Sequence, residues 1–271
     1  MSSKIEQFFS KRNPARVLIL TDSRGKGIQE FFDSYVNEHD LPLVCKFEIV
    51  KGAKLQRLYH IALREDRSYR FDKILIIGGI CNFTTRESYN SIRILSYYST
   101  DQIDKFLQIL TKLRDHFGSR VNIATVVPAS LTQYYKYHLT EEDPLEQGTL
   151  LALKSQQSKL LDDLKVVNVK IVEDNKLFGN RTIDLDRQVI GQSVKKRKRG
   201  KPQTVKIEFK EQLLTDGVHP NDSLKKRLHK RTLDSLLREL GLFPSSISKR
   251  TESDTSEEEL DNWDFKRVST A

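Results

Sequence analysis

Two patterns of hydrophobic residues alternate along most of the chain. Short and nearly continuous apolar runs, typical of strands buried on both faces of a parallel sheet, lie at 17–20, 43–50, 73–78, 121–127 and 166–172. Between them, apolar residues recur at helical spacing, as in Ile103, Phe106, Leu107, Leu110 and Leu113 before the glycine stop at Phe117-Gly118. Five strands separated by helices predict one doubly wound α/β sheet with right-handed crossovers.

The later part of the pattern is less regular. Asp143-Pro144 predicts the start of a helix that runs to about Leu164, and leucines predict a last helix over 223–240. We expect loops at 83–100 and 129–142. The chain then divides into an N-terminal arm at 1–15, one domain at 16–242 with a hairpin-like insertion at 186–210, and a disordered tail at 243–271 that is rich in serine and acidic residues.

Basic residues are concentrated in one short segment of the chain. The chain has 271 residues and a formal net charge of +9, and six of the seven residues of KKRKRGK at 195–201 are basic: Lys195, Lys196, Arg197, Lys198, Arg199 and Lys201. Three interpretations stay open for this run: a nuclear-localisation signal read by an import receptor, a contact with the phosphate backbone of a nucleic acid, or a solvated tip of the insertion.

Composition excludes several classes of protein. The sequence contains no run of roughly 18 to 20 apolar residues and no secretory signal, so we expect an intracellular protein, cytoplasmic or nuclear, with no membrane span. Cys45 and Cys81 are too few for a disulfide framework or a zinc cluster. The histidines show no spacing typical of a metal site, so no metal is predicted.

Candidate chemistry lies where the strands end. In an open parallel sheet, ligands bind beyond the carboxyl ends of the strands. Asp22-Ser23 follows the first predicted strand, Gly52 the second and Asn82 the third, while DGVHPN at 216–221 precedes the last helix. Ser23 alone has two interpretations, a helix cap or a nucleophile.

The four groups complement one another chemically. A serine hydroxyl needs a base, and His219 would be the base, with Asp216 holding its tautomer through Nδ1. The backbone N–H groups of Ser23 and Gly52 and the side-chain amide of Asn82 would stabilise the oxyanion of an acyl-transfer intermediate.

These residues resemble the motifs of the SGNH (GDSL-type) hydrolases. The four blocks appear in family order as TDS at 21–23, Gly52 in KGAKL, GGICNFT at 78–84 and DGVHPN at 216–221. The resemblance covers about 16–242 and implies a flavodoxin-like three-layer α/β/α sandwich. It also implies hydrolysis of a small ester through an acyl-enzyme on Ser23, without a metal or cofactor. The chain also resembles, more weakly, the small stand-alone SGNH domains found in proteins of invertebrate mobile elements.

The sequence departs from the family pattern at two points. Thr21 replaces the glycine that precedes Asp-Ser, and a gapless alignment puts Cys81, not Asn82, at the oxyanion asparagine. The alternative function is therefore a hydrolase-like scaffold with weakened catalysis that binds nucleic acid or protein through 195–201. Arg24 would bind an anionic group of the substrate or lie in solvent, and we expect it in solvent. The tyrosines at 134, 135 and 137 would form a stacking surface for a nucleic acid, form a lid over the pocket, or pack a loop.

Overall fold

The structure, a computed structural model, describes residues 13–89, 92–98, 101–140, 146–194 and 205–242. Its strands are β1 Ala15–Thr21, β2 Leu43–Ile49, β3 Lys73–Ile77, β4 Thr84–Tyr89, β5 Ile92–Tyr97, β6 Val121–Ile123, β7 Ile190–Val194 and β8 Val205–Phe209. Its helices are α1 Ile28–Glu38, α2 Leu55–Ser68, α3 Asp101–Phe117, α4 Leu131–Tyr137, α5 Gln147–Leu177 and α6 Asp222–Glu239.

The main sheet places the first strand of the chain at its centre. Its order is β2-β1-β3-β6 and all of its pairs are parallel, with Thr21 of β1 opposite Ile49 of β2 and Ile77 of β3. Because β1 has a neighbour on each side and helices above and below, Val17–Leu20 are fully buried. This burial explains why β1 is a continuous apolar run without alternation.

Alternate residues of β1 enter two separate cores. Val17 and Ile19 pack with residues of α1 and α6, whereas Leu18 and Leu20 pack with residues of α2, α3 and α5. The sheet therefore lies between two helical layers, as the prediction of a three-layer α/β sandwich requires.

The predicted fifth strand is wrong. Residues 166–172 lie inside α5, which continues past the predicted end at Leu164 to Leu177. Leu160, Leu164, Val167 and Ile171 are buried at helical spacing, while Val166 is about half exposed. Over this longer window the helical period outweighs the β propensity of the valines, so the described main sheet has four strands.

An irregular extended segment takes the place beside β6. The Asn122 side-chain amide donates to the Arg181 carbonyl at 2.8 Å, and the Thr125 N–H donates to the Ile183 carbonyl at 3.0 Å. Residues 181–185 thus cover the edge of the sheet without forming a regular ladder.

Regular structure also appears in regions that the sequence predicted as loops. β4 and β5 form an antiparallel hairpin within 83–100, and α4 lies within 129–142. Tyr134 and Tyr135 of α4 are buried, so these two side chains pack the core, while Tyr137 is exposed. In the region of the predicted insertion, β7 and β8 pair antiparallel.

Several sequence-based predictions fall outside the described residues: residues 1–12 of the arm, the cap at Asp143, the basic run at 195–201 and the tail at 243–271. Within the described ranges, no helix combines the length and the apolar composition that crossing a bilayer requires.

Candidate active site

The chain turns sharply where β1 ends, in a segment that we call the serine turn, residues 22–25. Asp22, and not Ser23, caps the short 3-10 helix at Ser23–Gly25, because its Oδ1 accepts a hydrogen bond from the Arg24 N–H at 3.0 Å. The Ser23 hydroxyl is therefore not used as a cap. The helix-cap interpretation of Ser23 is wrong.

Arg24 fixes the serine turn from inside the protein. Its Nη2 lies 3.1 Å from Asp22 Oδ2, and its Nη1 donates to the Val127 carbonyl at 2.6 Å. Only 8% of the Arg24 side chain and 2% of the Asp22 side chain are exposed. The expectation that Arg24 lies in solvent is wrong, since an acid two residues away and a carbonyl beyond β6 provide its partners.

Thr21 is accommodated by the glycine at the end of the turn. A Cβ built on Gly25 would lie 2.2 Å from Thr21 Cγ2, too close for any side chain. The Thr21 side chain thus occupies space that Gly25 leaves empty. This pairing explains how the serine turn tolerates threonine before Asp22.

The histidine is carried by residues 216–221, the histidine loop, directly before α6. Asp216 Oδ1 accepts the N–H of Val218 at 3.0 Å and the N–H of His219 at 2.7 Å. At the far end of the loop, Asn221 Oδ1 accepts the Leu224 N–H at 2.9 Å and caps α6. Both ends of the loop are therefore fixed by side-chain hydrogen bonds.

Gly217 lets the histidine loop lie directly on the start of α4. Its φ is 80°, and a Cβ added there would meet the Ser130 carbonyl oxygen at 2.4 Å and the Tyr134 nitrogen at 2.5 Å. The Ser130 N–H donates to the Gly217 carbonyl at 2.6 Å. Only glycine fits this backbone and this contact.

The two loops meet at the carboxyl edge of the sheet. Ser23 Oγ lies 3.1 Å from His219 Nε2, and His219 Nδ1 lies 2.7 Å from Asp216 Oδ2. The structure thus joins Ser23, His219 and Asp216 in one continuous chain of hydrogen bonds. The His219 side chain is 35% exposed, so part of the imidazole ring is open to solvent.

The ionisation of Asp216 decides which ring nitrogen of His219 carries the proton. Burial of Asp216 would raise the pKa of its carboxyl, but hydrogen bonds from the His219 ring and from the N–H groups of His219 and Val218 outweigh burial and hold that pKa well below its usual range. An ionised Asp216 accepts the proton on Nδ1, which leaves the lone pair of Nε2 to accept the Ser23 hydroxyl.

The remaining predicted residues lie on neighbouring loops of the same edge. Asn82 is buried, and its Oδ1 accepts the Leu55 N–H at 2.8 Å, which ties the loop after β3 to the start of α2. The carboxamide oxygen is used there, so its NH₂ is the donor available for a ligand. Gly52, with φ of 68°, is exposed in the loop after β2.

Cys81 has a different environment from Asn82. Its side chain is half-buried, and burial, together with the charge of Asp22, raises the pKa of its thiol. The thiol therefore stays protonated and is a weak donor. Among the described residues, neither Cys81 nor Asn82 forms a hydrogen bond with Ser23 or His219.

We also searched the described part of the chain for side chains that could bind a metal ion. No group of three or more His, Cys, Asp or Glu side chains in it is arranged to hold a metal ion.

Comparisons with known proteins agree on the fold. No model of a protein family and no curated protein sequence matches the chain. Solved structures do: a lipase/acylhydrolase from Enterococcus faecalis has a TM-score of 0.50 at 12% identity, over 81% of this chain and 93% of that one. A GDSL-like lipase from Bacteroides thetaiotaomicron has a TM-score of 0.50 at 12% identity, over 88% and 97% of the two chains.

An acetyl xylan esterase is similar to the same degree, with a TM-score of 0.50 at 14% identity over 81% of this chain and 98% of that one. The chain has the SGNH hydrolase fold, so the fold expected from TDS, Gly52, GGICNFT and DGVHPN is confirmed.

Proposed function

We propose that this chain is a serine ester hydrolase of the SGNH type, with Ser23 as nucleophile, His219 as general base and acid, and Asp216 as the residue that orients His219. The observation that carries the proposal is the hydrogen-bond chain from Ser23 Oγ through His219 to Asp216, with distances of 3.1 and 2.7 Å. Both distances lie within the range that proton transfer between positioned groups requires. The fold, shared with lipases and esterases, supports the same reaction class.

The first half-reaction forms an acyl-enzyme. As Ser23 Oγ attacks the ester carbonyl carbon, its proton moves to His219 Nε2, and the carbonyl π electrons move to the oxygen. The N–H groups of Ser23 and Gly52 and the Asn82 amide would stabilise that oxyanion. The intermediate then expels the alkoxide, which takes the proton from His219 and leaves as the alcohol.

The second half-reaction releases the acid. A water molecule gives a proton to His219 Nε2 as its oxygen attacks the acyl carbon, and the bond to Ser23 Oγ breaks when Oγ takes the proton back. The His219 side chain is 35% exposed, which leaves room for this water to approach it. The chemistry balances with ester and water as the only reactants.

The test is hydrolysis of 4-nitrophenyl acetate by the wild type and by Ser23→Ala. We expect Ser23→Ala to lose turnover by roughly 10³-fold or more with its circular dichroism unchanged. Ser68→Ala, at the exposed end of α2, is the matched control and should keep full activity. Wild-type turnover in the Ser23→Ala protein would refute the assignment.

A fluorophosphonate probe separates the enzyme from the binding module predicted from the sequence. Labelling that requires both Ser23 and His219 is expected for the enzyme. Absence of labelling, together with RNA binding that weakens steeply with salt, would favour the module instead. The role of residues 195–201 and the intracellular location stay predictions.

A further inference from the structure

An open groove of about 650 Å³ runs along the outer face of α2, starting at Gly52. We call it the basic groove, after the side chains that line it: Lys54, Arg57, His60 and Arg64. Its start is the residue that would donate one of the oxyanion hydrogen bonds.

The helical register separates the two faces of α2. Leu55, Leu58 and Ala62 are fully buried against the sheet. Lys54, Arg57 and Arg64 differ by three and seven positions and therefore lie on one face, away from the core. The same helix thus contributes an apolar face to the core and a cationic face to the groove.

The acidic residues of α2 neutralise only one cation of this face, Arg64. Glu65 is turned inward, where it accepts from Lys46 and from the guanidinium of Arg64. Asp66 is held by Arg120 through two hydrogen bonds of 2.8 and 2.9 Å. Both carboxylates are therefore occupied on the sides of α2 that face the protein.

Two cations of the groove have no acidic partner among the described residues. The Lys54 ammonium lies 5.5 Å above the ring of Tyr98, a contact that holds the ammonium without cancelling its charge. Arg57 is exposed and forms no ion pair with any described residue. An unpaired guanidinium presents a planar fork that fits a carboxylate or phosphate.

The loop that begins the groove and the serine turn follow two neighbouring strands of the sheet. β2 pairs with β1 so that Ile49 is opposite Thr21, and the Val50 N–H donates to the Thr21 carbonyl at 2.8 Å. Adjacent strands are about 4.8 Å apart, so the loop with Gly52 flanks the loop with Ser23. A molecule with its carbonyl at Ser23 would reach the groove by extending over Gly52, which lines the start of the groove.

We propose that the ester substrate carries an anionic group, a carboxylate or phosphate, that binds Arg57 and Lys54 in the basic groove while its carbonyl lies at Ser23. The assignment depends on the proposed function, since it names the substrate class of that site. It gives the loop after β2 a second role, in selecting the substrate.

The test compares esters that differ only in one charge. In the first arm, 4-nitrophenyl hexanoate is compared with the mono-4-nitrophenyl ester of adipate, which ends the same six-carbon acyl chain in a carboxylate. In the second arm, phenyl hexanoate is compared with its 4-carboxyphenyl counterpart, which puts the carboxylate on the alcohol. The two arms distinguish an anionic acyl part from an anionic alcohol.

We expect the wild type to prefer the anionic ester in one arm by about tenfold or more in kcat/KM, the size of one charge-assisted contact. Arg57→Gln should lower that preference at least fivefold, Arg57→Lys should retain more of it, and added salt should reduce it. Arg227→Gln, an exposed residue of α6 on the other face of the sheet, is the control and should leave the preference unchanged.

The two proposals fail differently. Turnover of the neutral esters without preference in either arm, or a preference that Arg57→Gln leaves intact, overturns the anionic substrate alone. Absence of turnover of all four esters by the wild type overturns the hydrolase and, with it, the substrate assignment.

Discussion

Both edges of the main sheet carry polar networks, and the networks end differently. At the carboxyl edge, the chain from Asp216 through His219 ends at the Ser23 hydroxyl, beside the partly exposed imidazole. At the amino edge, the buried Lys73 ammonium contacts the Ser119 carbonyl at 2.8 Å, Asn180 Oδ1 at 2.9 Å and the carboxylate of Glu239.

At the centre of the amino-edge network, the Lys73 ammonium is saturated. An ammonium has three donors, and each one on Lys73 has an acceptor. The second oxygen of Glu239 accepts from the Asn122 amide at 2.7 Å, which ties the last turn of α6 to β6. This network is buried and holds the layers together, and the Asn122 Oδ1 atom at its end has no hydrogen-bond partner among the described residues.

The difference separates a network that is open to solvent from one that is buried. Both contain ionisable side chains, whose exposed fractions range from 9% to 35%. Only the carboxyl-edge network stops at a group that reaches solvent and can still exchange a proton. A network of acid, base and hydroxyl thus indicates chemistry when its last member is accessible.

The largest effect is expected at the carboxyl edge. Asp216→Asn keeps an oxygen for the N–H groups of Val218 and His219 but favours the wrong tautomer of His219, so kcat should fall by roughly 10³- to 10⁴-fold. Ester hydrolysis and thermal unfolding measure it. Asp222→Asn, an acid with 92% side-chain exposure, is the matched control. Full activity in Asp216→Asn would remove the contrast between the edges.

The next effect concerns the amino edge and affects stability rather than catalysis. Lys73→Met leaves the Glu239 carboxylate buried without its cation, which should lower the free energy of unfolding by about 3–5 kcal/mol. Urea unfolding measures the loss, and the activity of the folded protein should not change. Lys170→Gln, which breaks an exposed pair with Glu173, should cost only about 0.5 kcal/mol. A large fall in kcat for folded Lys73→Met would contradict a purely structural role.

The smallest effect concerns His229, which belongs to neither network. It is 94% buried on α6 beside the serine turn, and its Nε2 has no hydrogen-bond partner among the described residues. Burial, followed by the charge of Lys225, lowers the pKa of His229 to about 4.

The unfolded chain therefore binds the proton first as the pH falls, since the pKa of an unperturbed histidine is about 6.5. Between that pH and about 4, acidification should cost the wild type up to roughly 3 kcal/mol from this residue. Urea unfolding at pH 7.5 and pH 4.5 measures this loss. Between these two pH values, the free energy of unfolding should fall less in His229→Leu than in the wild type. Equal losses in both proteins would assign the acid sensitivity to other groups.

The sequence predicts the central part of the fold because a strand that is buried on both faces appears in the sequence as a continuous apolar run. The residues of β1, β2, β3 and β6 lie within the apolar runs at 17–20, 43–50, 73–78 and 121–127, extended by up to two residues at their ends. The run at 166–172 misleads because its valines satisfy a strand locally, and only the spacing back to Leu160 reveals a helix.

The candidate site is predictable to a similar extent. Ser23 and His219 follow from their positions after a strand and before a helix. The Asp22–Arg24 pair does not, because the burial of Arg24 depends on the Val127 carbonyl, 103 residues away. The sequence does signal it weakly, by placing an arginine two residues from an acid at the end of a buried strand.

The distance along the chain between Ser23 and His219 has a consequence for biosynthesis. Their hydrogen bond joins residues 196 positions apart, so it cannot form before the ribosome has released the histidine loop. At usual rates of translation, the nascent polypeptide carries Ser23 for about 10 to 40 s before residue 219 is added. Under the proposed function, the serine would lack its base during that interval, and a product truncated before residue 219 would lack the His219 imidazole altogether.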